Sequence, residues 1–415
     1  MSGGSTLASP TVNPLISLVF LPISKVYQIR RGLNKLSDGR VNPIYSTGQV
    51  ILPVLFGFLL RIKSFNELSL MIKNREFSQL FPRGTKLPQI DAIRDTLKVM
   101  NIDGLKQVNQ HIVKKAVENK VFENGTIDGY MVAAIDGTKF FGSNKKSCSE
   151  CLKNAKGDKT HSFHSGAVMS TVGMGPKLVI GFEMYKPGQD SASKDEGELN
   201  VAKRLISSIV KSHTKLIDVV VYDALACNSI WINHCSNLGI DAIVRAKNNN
   251  NVSLRLAKKK VNKSEAVDVW EDEKGFEKIE VYESTFTMDN VEQPLRFVKF
   301  AIKHKDKKRT QIMIVTTCMD MPLKTLFKII RARWDIENSI FNNLKTGCGL
   351  EHCFVHGGKA VEAVLYLIFI ASNIMQLFLV RRLRNHFTTQ REIVRLLLKG
   401  LYLLKYKSEL VFTSP

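Results

Sequence analysis

The chain has 415 residues, enough for two or three domains of ordinary size and a substantial core. With 44% hydrophobic and 24% charged residues it is neither a disordered tail protein nor a disulfide miniprotein. Lysine and arginine number 60 against 38 acids, a formal net charge of +22, and an excess of that size implies a polyanionic partner: nucleic acid first, an anionic membrane surface second.

Seven cysteines form no even framework, which favours a reducing, intracellular compartment. Leu15–Ile23 is apolar, but it contains Pro22 and its basic residues follow rather than lead, so it does not read as a signal peptide. The first ~125 residues have helical spacing. Ser64 with Glu67 is a capping-box start ahead of Leu68–Ile72, and Pro88 precedes Ile90, Ile93, Leu97 and Met100. Val50–Leu60 is apolar but too short to span a bilayer, and it carries Pro53.

From about residue 128 the period shortens. Tyr130–Ile135 reads as a buried strand ending at Asp136-Gly137, and His164–Val172 and Lys177–Glu183 as two more, joined by the turn Gly173–Gly175. A helix over Glu198–Lys211, a strand over Leu216–Tyr222 ending at Asp223, a helix over Asn228–Leu238 and a strand over Asp241–Ala246 complete a mixed sheet covered by helices. Asn248–Arg309 breaks the rhythm with polar turns and short alternating runs (Lys278–Tyr282, Leu295–Ile302), a β-rich insertion bracketed by the basic runs Lys258–Lys260 and Lys303–Arg309. The core resumes at Gln311–Thr316, and a long helix runs from near Pro322 through Leu344. Ala363–Val380 is almost long enough to cross a membrane, yet Ser372, Asn373 and Gln376 give it a polar stripe, so it is expected to be a buried core helix.

Three acids stand where phosphoryl chemistry needs them. Asp136 and Asp223 end apolar strands, and Glu337 lies in the long late helix within RARWDIENSIFNNLK, with Arg333 four residues before it on the same face. Carboxylates at strand ends face the rim where open α/β sheets bind ligands. Oxygen ligands of this kind suit Mg²⁺ or Mn²⁺. There is no GxxxxGK followed by Ser or Thr and no GxSxG, which speaks against a P-loop ATPase or a serine hydrolase. Taken singly, each acid has an ordinary alternative as a turn or a solvated helix face.

The segments AAIDGTKFF, VVVYDALACNSIWINHCSNLGIDAIVRAKNN and RARWDIENSIFNNLK, in that order, resemble the three acidic signatures of bacterial insertion-sequence DDE transposases. The resemblance covers about residues 85–380. It implies a ribonuclease-H-like catalytic domain with a β-strand insertion, and Asp136, Asp223 and Glu337 as its metal-binding catalytic triad. It further implies Mg²⁺- or Mn²⁺-dependent strand cleavage and transfer on double-stranded DNA, both element ends and target, by a homodimer assembled on DNA. A bacterial cytoplasmic, nucleoid-associated location without a membrane partner goes with this reading.

The family subgroup with a tyrosine–arginine–glutamate–lysine signature matches at Arg333 and Glu337, but Ile330 stands where the tyrosine would be and Leu344 where the lysine would be. Lys345, one residue later, lies some 80° from the Glu337 direction at about 100° per residue. Arg333, Arg331 and Lys345 are the candidate phosphate contacts. Trp270, in the insertion, is a candidate for stacking an extruded base, as in family members with a hairpin mechanism, against the plainer reading of a half-buried strand tryptophan. Cys148-x2-Cys151 with His161-x2-His164, and Cys348, His352, Cys353 and His356 later, invite zinc, and a mixed site from both groups is conceivable. The tight spacing favours reduced thiols on a turn instead.

The expected architecture is thus α/β (α+β): residues 1–125 a helical, DNA-end-binding region; 126–247 and 311–385 the ribonuclease-H-like core; 248–310 the β-rich insertion; 386–415 a basic C-terminal tail. Two other functions share the same residues: a metal-dependent nuclease of this fold that cuts without joining, and an inactive transposase-derived DNA-binding protein.

Overall fold

The computed structural model describes residues 26–81, 84–156, 159–188, 196–246, 251–306, 308–381 and 389–399. The apolar stretch Leu15–Ile23 and most of the basic tail lie outside them. The chain divides into two compact units, one from 1–116 with 344–415 and one from 117–343.

Among the described residues the first unit begins with six helices: α1 (Ile29–Asn34), α2 (Thr47–Leu59), α3 (Phe65–Lys73), α4 (Arg75–Ser78), α5 (Ile90–Lys98) and α6 (Ile102–Glu118). Their starts follow from local chemistry. The Ser64 hydroxyl accepts from the Glu67 backbone N–H at 3.1 Å, as the sequence suggests, while the Glu67 carboxylate reaches back to the Lys63 N–H rather than to that of Ser64. A complete capping box, Ser46 with Gln49, starts α2 and passes unnoticed in the sequence because the run behind it is so apolar. Ile93, Leu97 and Met100 face inward on and just after α5.

In the second unit ten strands form one sheet: β1 (Val132–Ser143), β2 (Leu152–Lys156), β3 (Lys159–Thr171), β4 (Val179–Met184), β5 (Val219–Tyr222), β6 (Asp241–Arg245), β7 (Asp268–Glu271), β8 (Glu277–Phe286), β9 (Leu295–His304) and β10 (Arg309–Thr316). The strand order is β2-β3-β1-β5-β6-β10-β9-β8-β7, with β4 also paired to β3. β1, β5 and β6 run parallel, whereas β3 is antiparallel to β1 and β4 to β3. The sub-order β4-β3-β1-β5-β6 with these directions is the ribonuclease-H-like sheet. Helices α7 (Glu198–Ser212), α8 (Ser229–Asn237), α9 (Val252–Lys263) and α10 (Leu323–Ala332) cover it.

The parallel strands are the most apolar. Val219–Tyr222 is wholly buried, as a strand covered on both faces must be. The segment after residue 247 is not purely strands: Asn251 caps the helix α9 before β7 begins. Nor do its strands form a separate sheet, since β9 pairs with β10 along its length and β7–β9 prolong the core sheet. Their alternation of buried and exposed residues is what an added antiparallel edge requires.

The late helix is not continuous α-helix. α10 ends at Ala332, and Ile336–Phe341 is a π turn. The chain then returns to the first unit through α11 (Asn342–Cys348) and α12 (Gly358–Arg381), and α12 packs on α2 and α5. α12 is long and apolar enough to cross a membrane, but most of it is buried in the protein. Its polar stripe is inward rather than an edge: Ser372 and Asn373 are buried, and the Asn373 amide donates to Asn109 Oδ1 at 2.9 Å.

Candidate active site

Asp136 is not at the end of its strand. β1 continues to Ser143 because β3 pairs with it from Ala133 onward, whereas its register with β5 ends at Ala134 and Val221. Asp136 lies two residues past Ala134 and Asp223 two residues past Val221, so the two acids leave adjacent parallel strands at the same level and on the same face. β5 stops at Tyr222, so β1 runs past the end of its parallel neighbour at Asp136. Asp223 begins a 3₁₀ turn, its carboxylate accepting from the Leu225 N–H at 2.8 Å.

Glu337 comes to this place on the π turn, which packs against β1. Two fastenings hold that turn: the Asp335 carboxylate accepts from the Gly173 N–H at 2.9 Å and pairs with Lys177 at 3.0 Å. From α10, Thr325 and Lys328 donate to the Asp128 carboxylate just ahead of β1. The Arg333 guanidinium, almost wholly buried, donates to Glu337 Oε1 at 2.8 Å and lies 4.6 Å from the Trp334 ring.

The electrostatics mark Asp136. Burial, and next the charge of Glu337, push its carboxyl up to about 7 from the ordinary 3.8; Arg333 works against this and Glu198 adds to it. Glu198, first residue of α7, is a further acid that the sequence reading missed. Tyr222 Oη donates to its Oε1 at 2.8 Å. A methyl on Gly137 would lie 2.6 Å from Tyr185 Oη and 3.0 Å from the Glu198 carboxylate, so both groups crowd the residue next to Asp136. Burial and the Glu198 charge raise both tyrosines, which therefore stay protonated donors. The available signal was the start of an amphipathic helix directly after Gly197, which does not reveal where the helix points.

The donor set fits a divalent cation. It consists of carboxylate oxygens, and besides burial the charges of Glu337 and Glu198 act on Asp136 against that of Arg333. Asp136, Asp223 and Glu337 could hold such an ion.

The other candidates have partners of their own. Arg331 pairs with Glu277 on β8, and its guanidinium is 5.4 Å from the Phe327 ring. Lys345 pairs with Glu351 at 2.8 Å. The α-helical count behind the 80° figure for Lys345 does not hold across the π turn, which closes i to i+5 and takes up about one extra residue. Trp270 stacks edge-on against Phe300 and Phe327. β7 is six strand intervals from β1, roughly 29 Å at the usual spacing, so Trp270 does not join the acids.

A comparison with curated proteins returns no match. Residues 129–374, more than half of the chain and including all three acids in their strand, strand and helix settings, match the family described as Transposase DDE domain, and the chain belongs to that family of DDE transposases.

Proposed function

We propose that this transposase binds the terminal repeats of its own insertion sequence and catalyses Mg²⁺-dependent strand cleavage followed by strand transfer. The observation that carries the reading is the grouping of Asp136, Asp223 and Glu337 at the rim of the parallel strands, with the Asp136 carboxyl pushed up to about 7. Mg²⁺ or Mn²⁺ held by these acids would lower the pKa of a water or 3′-hydroxyl and offset charge on the leaving oxygen. The chain's own part is positional. Arg333 fixes Glu337 through a charge-assisted hydrogen bond, and the rigid sheet fixes the two aspartates. Tyr222, with Tyr185, orients Glu198 beside them. Cutting two ends in concert requires a homodimer on the DNA.

The helical unit offers a basic cleft for the duplex backbone. It lies between α1 and α6 and is lined by Arg31, Lys35 and His111 together with Gln28 and Gln107. Arg31 and Lys35 are exposed there, as phosphate contacts must be.

The deciding experiment incubates the protein with supercoiled DNA carrying the sequences that flank its gene, with and without Mg²⁺. Metal-dependent breaks at defined ends joined to a new site support the proposal, and Asp136→Ala should abolish them while sparing DNA binding. Breaks without joining would indicate a nuclease of the same fold; binding without breaks would indicate an inactive, DNA-binding descendant. Arg31→Glu with Lys35→Glu should weaken DNA binding and leave the fold intact.

A further inference from the structure

The sheet unit holds a second cluster of ligand atoms on the other side of β1's antiparallel partner. The connection from β1 to β2 makes a turn in which the Cys151 N–H donates to the Cys148 carbonyl at 3.2 Å, bringing the two thiols to one side. Their sulfurs are 3.6 Å apart, far beyond a disulfide bond. His164, on β3 and almost fully buried, points Nε2 between them at 3.4 Å from each sulfur. His161 does not take part. Three residues along a strand place two side chains on opposite faces, and His161 instead contacts Asn144 Oδ1 at 2.7 Å.

A single imidazole nitrogen has one proton or one lone pair in the ring plane, so hydrogen bonding favours one sulfur over the other. Equal approach to both means that three donor atoms aim at a common point. For a tetrahedral zinc with Zn–S of about 2.3 Å and Zn–N of about 2.0–2.1 Å, the edges are about 3.8 Å for S···S and about 3.6 Å for S···N. The observed 3.6 and 3.4 Å fall within a few tenths of these values. We propose that Cys148 Sγ, Cys151 Sγ and His164 Nε2 are three ligands of a structural zinc ion that clamps the β1–β2 turn to β3. A fourth protein donor or a water completes the tetrahedron. Binding displaces the two thiol protons to solvent and involves no redox change. The clamp bears on the catalytic sheet: His164 is paired with Phe141 of β1, on the strand that carries Asp136 five residues earlier.

The test is metal analysis of the full-length protein purified under reducing conditions without chelator. About one zinc per chain is expected, lost in Cys148→Ser, Cys151→Ser and His164→Ala and retained in Asp136→Asn, whose acids form the separate oxygen site. The wild-type protein provides a check that does not depend on how the variants fold. After chelation and addition of Co²⁺ alone, it should show the intense visible bands of tetrahedral cobalt with a thiolate-to-metal charge-transfer band, and its Tm should recover. Purified protein that neither contains zinc nor takes up Zn²⁺ or Co²⁺ stoichiometrically would overturn the proposal. So would a cobalt spectrum without thiolate charge transfer, or folded variants that keep their zinc.

Discussion

At the scale of single residues, the unusual feature is an aspartate held near neutrality. Because the folded-state value of Asp136 lies above its unfolded value, the metal-free native protein binds a proton more tightly than the unfolded chain. Its stability contribution is therefore greatest at low pH and is lost as pH rises from about 4 through about 7. Asp136→Asn should flatten this slope, raising the Tm of the metal-free protein at pH 8 by about 2 °C or more, with the difference vanishing near pH 4. Thermal denaturation of both proteins across that range in chelator checks this; a parallel pair of curves would show that Asp136 is not under such pressure. Gly137 offers a second probe. Gly137→Ala places a methyl 2.6 Å from Tyr185 Oη. It should move Tyr185 and Glu198 and weaken Mg²⁺ affinity about 10–100-fold, the range for disturbed outer-shell partners, measured by titration on a protein that still melts cooperatively.

At the scale of elements, the π turn and α8 decide how well the acids are placed. Arg333 is buried against Glu337, so Arg333→Gln removes the charge that opposes the rise at Asp136. The cleavage rate against pH should then shift its half-maximum upward, because more base is needed to ionise Asp136; an unshifted profile would separate Arg333 from the site. On the other side, Trp231 of α8 is fully buried with its ring 5.2 Å from that of Tyr222, whose hydroxyl orients Glu198. Trp231→Ala should cost about 3–5 kcal/mol in denaturant unfolding through the cavity it leaves.

For the whole molecule, the +22 charge and the acid cluster make opposite demands that two kinds of partner meet. A protein contacting six to ten phosphates loses about 10³–10⁵ in affinity between 50 and 200 mM salt, and DNA binding here should fall that steeply. Mg²⁺ should raise the Tm by mass action, about 2.7 kcal/mol at 100 times its Kd, and Asp136→Asn should remove most of that gain. Melting curves over a Mg²⁺ series for both proteins measure it.

Much of this was legible along the chain. The apolar runs before Asp136 and Asp223, the helix leading up to Arg333, and the buried nature of Gly358–Arg381 all follow from local period and composition, which side-chain burial imposes on any sequence. The order of strands and helices pointed to a mixed sheet covered by helices, and the resemblance of the three acidic segments supplied the expectation of a ribonuclease-H-like one. What tertiary structure alone decided depends on contacts between distant segments. β3 carries β1 past Asp136, Glu198 arrives from α7, the π turn changes the count after Glu337, and the sheet continues unbroken through β7–β9. Local spacing also misled at His161 and His164, because pairing as a β-strand sends them to opposite faces and gives only His164 to the cysteines. A sequence records which groups are available and at what period; their convergence on one point is set by strand register and helix packing, which no local window contains.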